Sequence, residues 1–468
     1  MSADTAHPAD GVLFVDGERT ARWYSEHVAA VAPVELDLGD GCVVEIDPAD
    51  PDVVLAWRAS SDAAVTALAR AVDDPAIAEI VGSARAAGTG ERVVRAPMLI
   101  NAWARFALVA AATRWTMRPV HKGALLIDRA VAAATVGQDA AAKTLFIYAE
   151  DALLELGQQC VDGELPAAVT DLVAQAVQVA NRLGVAGDAA GLADELDSRT
   201  AIDDDILREF LTRRRRAAAT ASTDLQSGTL DGEEAVLTMG SDVVDIQAVP
   251  PRIIAWHGAE QPELVIEHLS DSAVFVITTT LADGVDPSCR EVRRLLAYAA
   301  ERDTGTLVAT APLRPLGPVL TAKLPAGQWV IADLHFGVLD AGTDLEALRT
   351  DPIGRCLAAV DRTMVEAWGH QRAANATLHT VPATADAELL DKAQAEHRAQ
   401  LRTARSSAAN ARKRIERELR VLDPADQDTD ALRALLRDRL DAVNRYPQAM
   451  ASAADPILTE LIPPEQDE

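Results

Sequence analysis

Three histidines and an aspartate in the second half of the chain are the residues best suited to hold a metal. In the strand predicted for 329–336, the period of two places Asp333 and His335 on one face. A carboxylate and an imidazole in that position can bind one cation or act as an acid–base pair. His257 and His268 would complete a three-ligand site if their strands are neighbours. The alternative is a strand-edge histidine beside a solvated aspartate.

An arginine-rich segment is the second candidate for function. Residues 398–420 of one predicted helix contain eight basic and two acidic residues, in a chain whose net charge is −28. The first three arginines share a helix face at i, i+4 and i+7, and the later ones spread around the cylinder. The residues that we predict to form an interaction surface are Arg398, Arg402, Arg405, Arg412 and Arg414. An acidic protein surface, a second copy of this chain included, is the favoured partner.

Nucleic acid is the disfavoured partner for the same helix. Phosphate contacts from the arginines are chemically reasonable, but no aromatic residue is interleaved among them for base stacking. The excess of carboxylates over the whole chain also repels phosphates and anionic lipid surfaces. These charges favour a protein partner.

Common catalytic templates are missing from the sequence. It contains no GxSxG elbow, no GxxxxGK[ST] phosphate loop and no HExxH helix. The cysteines Cys42, Cys160, Cys289 and Cys356 have no zinc-site spacing and are predicted to be free thiols in a reducing compartment. We therefore assign no catalytic residue and no cofactor, and favour a protein without enzymatic activity over a metal-dependent enzyme.

The location expected from the sequence is the cytoplasm of a bacterium. The N-terminus is polar and lacks the apolar core of a secretion signal, and the most apolar window, Met98–Ala112, is interrupted by Arg105 and is too short to span a bilayer. Only five of the 44 basic residues are lysine, and alanine is abundant, which is typical of a GC-rich genome. We predict no membrane contact.

The pattern of residues predicts an α+β fold with several domains. Residues 1–60 read as a β-hairpin region, with apolar runs at 34–38 and 42–46 around Gly39-Asp40-Gly41 and a loop at 47–51. Residues 61–216 have the helical period throughout, and 217–235 lose it and form a predicted linker. The helix before that linker ends in Arg213–Arg216, which is typical of a solvated helix end.

Residues 236–342 are predicted to form a β-sandwich-like domain, because several short apolar runs alternate with turns. One segment, 288–302, fits either a helix within a βαβ unit or the incoming strand of a hairpin, and the hairpin is favoured because the other connections are too short for crossovers. Residues 343–468 are predicted to be helical, with an antiparallel hairpin of helices at 386–422 and 429–446 and a loose acidic tail.

These features predict a cytoplasmic adaptor or scaffold in a bacterial multiprotein system, with other proteins as partners. A two-helix arm and a strand-rich module are common docking elements, and the arm also allows the chain to associate with itself. The metal-dependent enzyme and the nucleic-acid binder stay as alternatives. A pair of tryptophans, Trp103 and Trp115, lies about three turns apart on one predicted helix and is expected to be core.

Overall fold

The protein is α+β, with an N-terminal sheet, a helical block, a central β-rich module and C-terminal helices. A computed structural model gives the structure of residues 10–16, 20–87, 91–197, 202–220, 236–256, 263–269, 273–422, 429–450 and 454–464. Most of the predicted linker, residues 221–235, lies outside the described residues.

One six-stranded antiparallel sheet forms the N-terminal part. Its strands are β1 (Asp10–Asp16), β2 (Thr20–Ser25), β3 (Val34–Gly39), β4 (Cys42–Asp47), β5 (Asp50–Ala59) and β6 (Arg92–Arg95). They lie in the order β3-β4-β5-β2-β1-β6. The predicted hairpin is confirmed, since β3 and β4 pair around Gly39, Asp40 and Gly41, which all have positive φ.

The sheet is larger than the predicted hairpin for two reasons. The prediction of a loop at 47–51 is wrong, because β5 begins at Asp50 and places Pro51 at the start of the strand, where its missing N–H is tolerated. The helical region predicted for 61–216 contains β6, which pairs with β1. A four-residue strand whose partner lies some 80 residues earlier leaves no local periodicity.

Nine helices follow or interrupt this sheet within the described part of residues 60–220. They are α1 (Asp62–Ala71), α2 (Ala76–Ala86), α3 (Asn101–Trp115), α4 (Lys122–Thr135), α5 (Asp139–Tyr148), α6 (Glu150–Val161), α7 (Ala167–Leu183), α8 (Ala193–Asp197) and α9 (Asp204–Thr220). Helices α1 to α3 share a core with the sheet, and α4 to α9 enclose a second core. Because α9 runs to Thr220, the first four residues of the predicted linker are helical.

Two antiparallel sheets form the central module. The elements are β7 (Val236–Asp242), β8 (Leu264–Leu269), β9 (Val274–Thr280), α10 (Arg290–Arg293), β10 (Leu295–Glu301), β11 (Leu307–Pro312), β12 (Arg314–Leu316), β13 (Val319–Pro325) and β14 (Leu334–Asp340). The orders are β12-β13-β9-β8-β7 and β11-β10-β14, and both sheets contribute to one apolar core. The Phe275 and Phe336 rings, one from each sheet, lie 5.2 Å apart.

The ambiguous segment 288–302 forms a single helical turn, α10, followed by strand β10. Strands β10 and β11 pair as the hairpin favoured by the sequence, and Gly305 takes φ +75° in its turn. A Cβ atom on Gly305 would lie 2.6 Å from the backbone nitrogen of Asp351. Glycine is therefore required there both by the positive φ and by this close approach.

Three long helices and one short helix end the chain. They are α11 (Pro352–Thr380), α12 (Ala387–Val421), α13 (Asp430–Ala449) and α14 (Leu458–Leu461). Hydrogen bonds from α11 to α12 join His370 with Gln400 and His397 with Ala374, which shows that these two helices are antiparallel. The predicted pair α12 and α13 is present, but α11 packs on it and all three helices share the core of the N-terminal sheet.

The C-terminal tail is docked where the sequence predicted a loose end. Ile457, Leu458 and Leu461 are all at most 1% exposed. Leu458 and Leu461 pack into the core of the helical block, and Ile457 packs into the core that includes the N-terminal sheet. The backbone N–H groups of Leu458 and Thr459 donate to the carboxylate of Asp128 on α4, at 3.0 and 2.7 Å. The prolines and acidic residues around these apolar side chains hide their pattern in the sequence. None of the described helices combines the length and apolar character needed to cross a membrane.

The anchor at Asp128 makes a pH dependence testable. Burial raises the pKa of Asp128 to about 6, although hydrogen bonds from Thr459 and Leu458 act in the opposite direction. The unfolded chain releases this proton near pH 4, so the folded state holds an extra proton between about pH 4 and 6 and loses stability as the pH rises through that window. The neutral variant Asp128→Asn does not titrate.

We therefore expect the free energy of unfolding of Asp128→Asn, relative to the unmodified protein, to rise by about 2 kcal/mol from pH 4 to pH 7. Urea unfolding of both proteins at a series of pH values measures this difference. A difference that does not change with pH would show that the Asp128 pKa is not raised.

Candidate functional site

The strand predicted to carry Asp333 and His335 is interrupted. A 3-10 turn occupies Ile331–Asp333, and β14 begins at the next residue. The Arg302 side chain donates to the carbonyl oxygens of Ala332, within this turn, and Leu334, the first residue of β14, at 2.9 and 2.6 Å, and holds the turn in place. Asp333 is exposed and His335 is buried, so the prediction that the two share a strand face is wrong. Short apolar runs do not distinguish such a turn from a strand.

His335 belongs to a buried polar chain inside the central module. Its Nδ1 lies 2.7 Å from Asp242 Oδ2, and its Nε2 lies 3.3 Å from the Tyr298 hydroxyl. Burial would raise the pKa of Asp242, but the contact with His335 and hydrogen bonds from the Phe336 and Val243 backbone N–H groups together outweigh it, and the pKa is lowered. These bonds tie β7, β10 and β14 together. His268 instead packs its ring on Phe275, with ring centres 4.9 Å apart.

The metal site proposed from the sequence is not assembled by the side chains whose positions are known. His257 lies outside the described residues, and His268, Asp333 and His335 have the separate environments given above. Across the described ranges, no group of three His, Cys, Asp or Glu side chains is placed to hold one ion.

The arginine-rich segment lies on the outside of α12. All five arginines predicted for the interaction surface are exposed: Arg398, Arg402, Arg405, Arg412 and Arg414. At about 100° per residue, Arg412 lies about 40° from Arg398 around the helix, whereas Arg414 lies on a different side. We call Arg398, Arg402, Arg405 and Arg412 the basic face, which extends about 21 Å along α12.

Most of the positive charge on the basic face is not neutralised. Arg412 approaches Glu416 at 3.5 Å, and Arg398 Nε donates to the Gln394 carbonyl. No carboxylate of the described residues lies within 4 Å of Arg402 or Arg405. The opposite side of α12 is buried through Ala404, Ala408, Ala411 and Ile415. This packing directs the basic face away from the core.

The four-arginine run on α9 is not the free helix end that the sequence predicted. The helix continues past it, and two of its four arginines contact the C-terminal helices. Arg214 Nη1 donates to Thr380 Oγ1 at 2.9 Å, and Arg215 pairs with Glu396 at 2.9 Å. These partners of Arg214 and Arg215 lie on α11 and α12, more than 150 positions later.

A cavity that the sequence did not predict lies where α3, α9, α11, α12 and the C-terminal segment meet. Its volume is about 390 Å³. We call it the tryptophan cavity, because three indole rings line it: Trp115, Trp256 and Trp368. The prediction that Trp103 and Trp115 are core is confirmed, since both are at most 9% exposed. Trp115 Nε1 is buried without a hydrogen-bond partner among the described residues.

Four arginines line the tryptophan cavity, and two of them are fully engaged by carboxylates. Arg372 makes a bidentate pair with Glu460, at 2.7 and 2.6 Å. Arg362 donates to Glu263 at 2.6 Å, and its guanidinium lies 5.4 Å from the centre of the Trp256 ring. These two arginines are held by their own counter-ions.

The other two arginines of the cavity have neutral partners. Arg118 Nη2 lies 2.6 Å from His370 Nδ1, and Arg214 donates to a threonine hydroxyl. Burial lowers the pKa of both guanidinium groups, that of Arg214 to about 10. Burial and the nearby Arg118 also lower the pKa of His370, which favours the neutral imidazole. The cavity therefore carries positive charge that the protein itself does not pair closely.

No known protein family matches the chain, and neither a curated protein nor a solved structure is detectably similar to it.

Proposed function

We propose that the protein is a non-enzymatic, cytoplasmic adaptor or scaffold of a bacterial multiprotein system, which docks an acidic surface of another protein on its basic face. The observation that carries the proposal is the exposure of Arg398, Arg402, Arg405 and Arg412 on one side of α12. Two of them have no carboxylate nearby in the described part of the chain.

Charge complementarity supports an acidic partner. Residues 398–420 carry a local excess of six positive charges, while the whole chain carries −28. A basic patch on an acidic protein attracts acidic surfaces locally, and the remaining surface repels them, which orients the partner at encounter. The proposed contact is therefore electrostatic, and we expect it to weaken as the salt concentration rises.

A protein partner is favoured over nucleic acid by the composition of the helix. Helix α12 contains no Phe, Tyr or Trp that could stack on a base. A duplex approaching the basic face would also bring many phosphates close to the acidic remainder of the protein. Nucleic-acid binding is therefore an outcome that the experiment must be able to detect.

Reversing two charges of the basic face should remove the partner. We expect the double variant Arg402→Glu with Arg405→Glu to lose at least about tenfold in affinity, because two attractive contacts become repulsive. Unmodified and variant proteins are immobilised and exposed to nuclease-treated extract of the native host, and retained proteins are quantified by mass spectrometry. Proteins lost only with the variant are the expected result.

The matched control reverses two exposed arginines elsewhere. Arg22 and Arg58 lie opposite each other on β2 and β5, and their change to glutamate alters the net charge equally. The control should retain the same proteins as the unmodified chain. The adaptor proposal would be overturned if all three samples retained identical sets of proteins, or if this chain alone was recovered. Proteins that are retained from untreated extract but not from nuclease-treated extract would also overturn it.

A further inference from the structure

The tryptophan cavity combines positive charge with an aromatic wall. The charge is that of Arg118 and Arg214, whose hydrogen-bond partners are neutral side chains, and the wall consists of three indole rings. Enclosed pockets of a few hundred Å³ with apolar walls and a few convergent polar groups are typical sites for small organic ligands.

Among the described residues, no carboxylate lies within 4 Å of the Arg118 or Arg214 guanidinium group. Glu460 is bound by Arg372, and Glu396 is bound by Arg215. Glu366 lies 3.6 Å from Arg362 and 3.9 Å from His370, so it faces two other groups. Burial is the main cause of the lowered Arg214 pKa; the more distant carboxylates of Glu396 and Glu460 act against it, and the nearby Arg118 acts with it. A partly buried cation without a close carboxylate is costly, and an anion would relieve that cost.

The walls of the cavity indicate what the rest of the ligand is. Trp115, Trp256 and Trp368 offer indole surfaces, and Met117, Val365 and Ile462 add aliphatic ones. Aromatic rings stack with particular strength on indole faces. The unpartnered Nε1 of Trp115 is a hydrogen-bond donor, which an acceptor on the ligand would satisfy.

We propose that the tryptophan cavity binds a small organic anion, whose carboxylate, phosphate or sulfonate group is held by Arg118 and Arg214 and whose aromatic body packs against the tryptophans. The site is independent of the basic face, since no arginine of that face lines the cavity. Six separate parts of the chain form its walls, so the ligand would contact the helical block, the segment of Trp256 and the C-terminal helices at once.

Two fluorescent probes that differ only in charge test the proposal. They are 8-anilinonaphthalene-1-sulfonate and its uncharged counterpart, N-phenyl-1-naphthylamine. We expect the full-length protein to bind one sulfonate probe per chain, at least about tenfold more tightly than the uncharged probe. Arg118→Gln and Arg214→Gln should each lose this preference, while binding of the uncharged probe stays within about twofold, because only the anionic contact is removed.

The control variant is Arg182→Gln, which removes an exposed arginine at the end of α7 and should change neither affinity. Displacement of the sulfonate probe by benzoate or by phenyl phosphate then distinguishes a carboxylate ligand from a phosphate ligand. Circular dichroism confirms that the variants fold. Equal binding of both probes by the unmodified protein, no saturable binding at millimolar probe, or an unchanged preference in the glutamine variants would overturn the proposal.

Discussion

Replacing Asp361 with alanine should destabilise the protein strongly, because its carboxylate connects three separate parts of the chain. Asp361 is 5% exposed and lies on α11, where it accepts hydrogen bonds from three side chains. Arg439 of α13 and Arg349 each donate at 2.5 Å, and Gln247 of the central module donates at 3.1 Å. Removing the carboxylate leaves two largely buried guanidinium groups without this partner.

We expect Asp361→Ala to lose about 3–5 kcal/mol, the usual cost of breaking a buried ion pair by removing one partner. Thermal unfolding should show a decrease in Tm of about 3–5 °C for a chain of this size. Asp361→Asn is the matched control, because it keeps an acceptor oxygen but no charge, and we expect a smaller loss. An alanine variant that melts like the unmodified protein would show that Asp361 does not connect these parts.

Replacing Arg372 with glutamine should also destabilise the protein, by a somewhat smaller amount. Arg372 is 4% exposed, pairs twice with Glu460 and donates to the carbonyls of Ala454 and Asp455, at 2.6 and 3.1 Å. Glu460 also accepts from the Ile457 N–H at the start of α14. The substitution removes the cation that pairs with the Glu460 carboxylate and the donor to the Ala454 carbonyl, whereas Asp455 keeps a hydrogen bond from Arg105, so we expect a loss of about 3 kcal/mol by urea unfolding.

The matched comparison is Arg118→Gln, in the same cavity. Arg118 has a neutral partner and is repelled by Arg214, so its loss should change stability by less than about 1 kcal/mol. This contrast separates an arginine that holds the fold from one retained for a ligand. Equal losses in the two variants would assign Arg118 a structural role.

Local patterns in the sequence predict several elements correctly. The Gly39-Asp40-Gly41 turn between two apolar runs specifies the β3–β4 hairpin, because glycine and aspartate accept the positive φ angles that the turn requires. The helical period gives α12 and α13, and the exposure of Arg398, Arg402 and Arg405 on α12 follows from their polar side chains. The sandwich-like pairing of short strands also follows from alternation and turn spacing.

Other elements depend on contacts between distant parts of the chain. The partner of β6 lies in the first strand, and the start of β14 is set by Arg302 from the preceding hairpin. The docked C-terminal tail depends on Asp128, more than 300 positions earlier. No window of neighbouring residues contains these pairs, so periodicity could not reveal them.

The tryptophan cavity was not predictable for the same reason. Arg118, Arg214 and His370 come from three separate segments, and each has an ordinary local role in the sequence. The nearest signals are the arginine run on α9 and the tryptophan at the end of α3. The arginine run fits a solvated helix end, and the tryptophan fits core packing. A single sequence does not show which distant residues contact them.

Photo-crosslinking in the native host tests the docking of a protein on the basic face most directly. p-Benzoylphenylalanine is incorporated in place of Ser406, which is exposed on α12 beside Arg405, or in place of Ser83, an exposed control position on α2. We predict a discrete protein adduct at position 406. The adduct should be absent at position 83 and should be lost in the double variant Arg402→Glu with Arg405→Glu. Adducts with nucleic acid alone, or a protein adduct that survives the charge reversal, would contradict it.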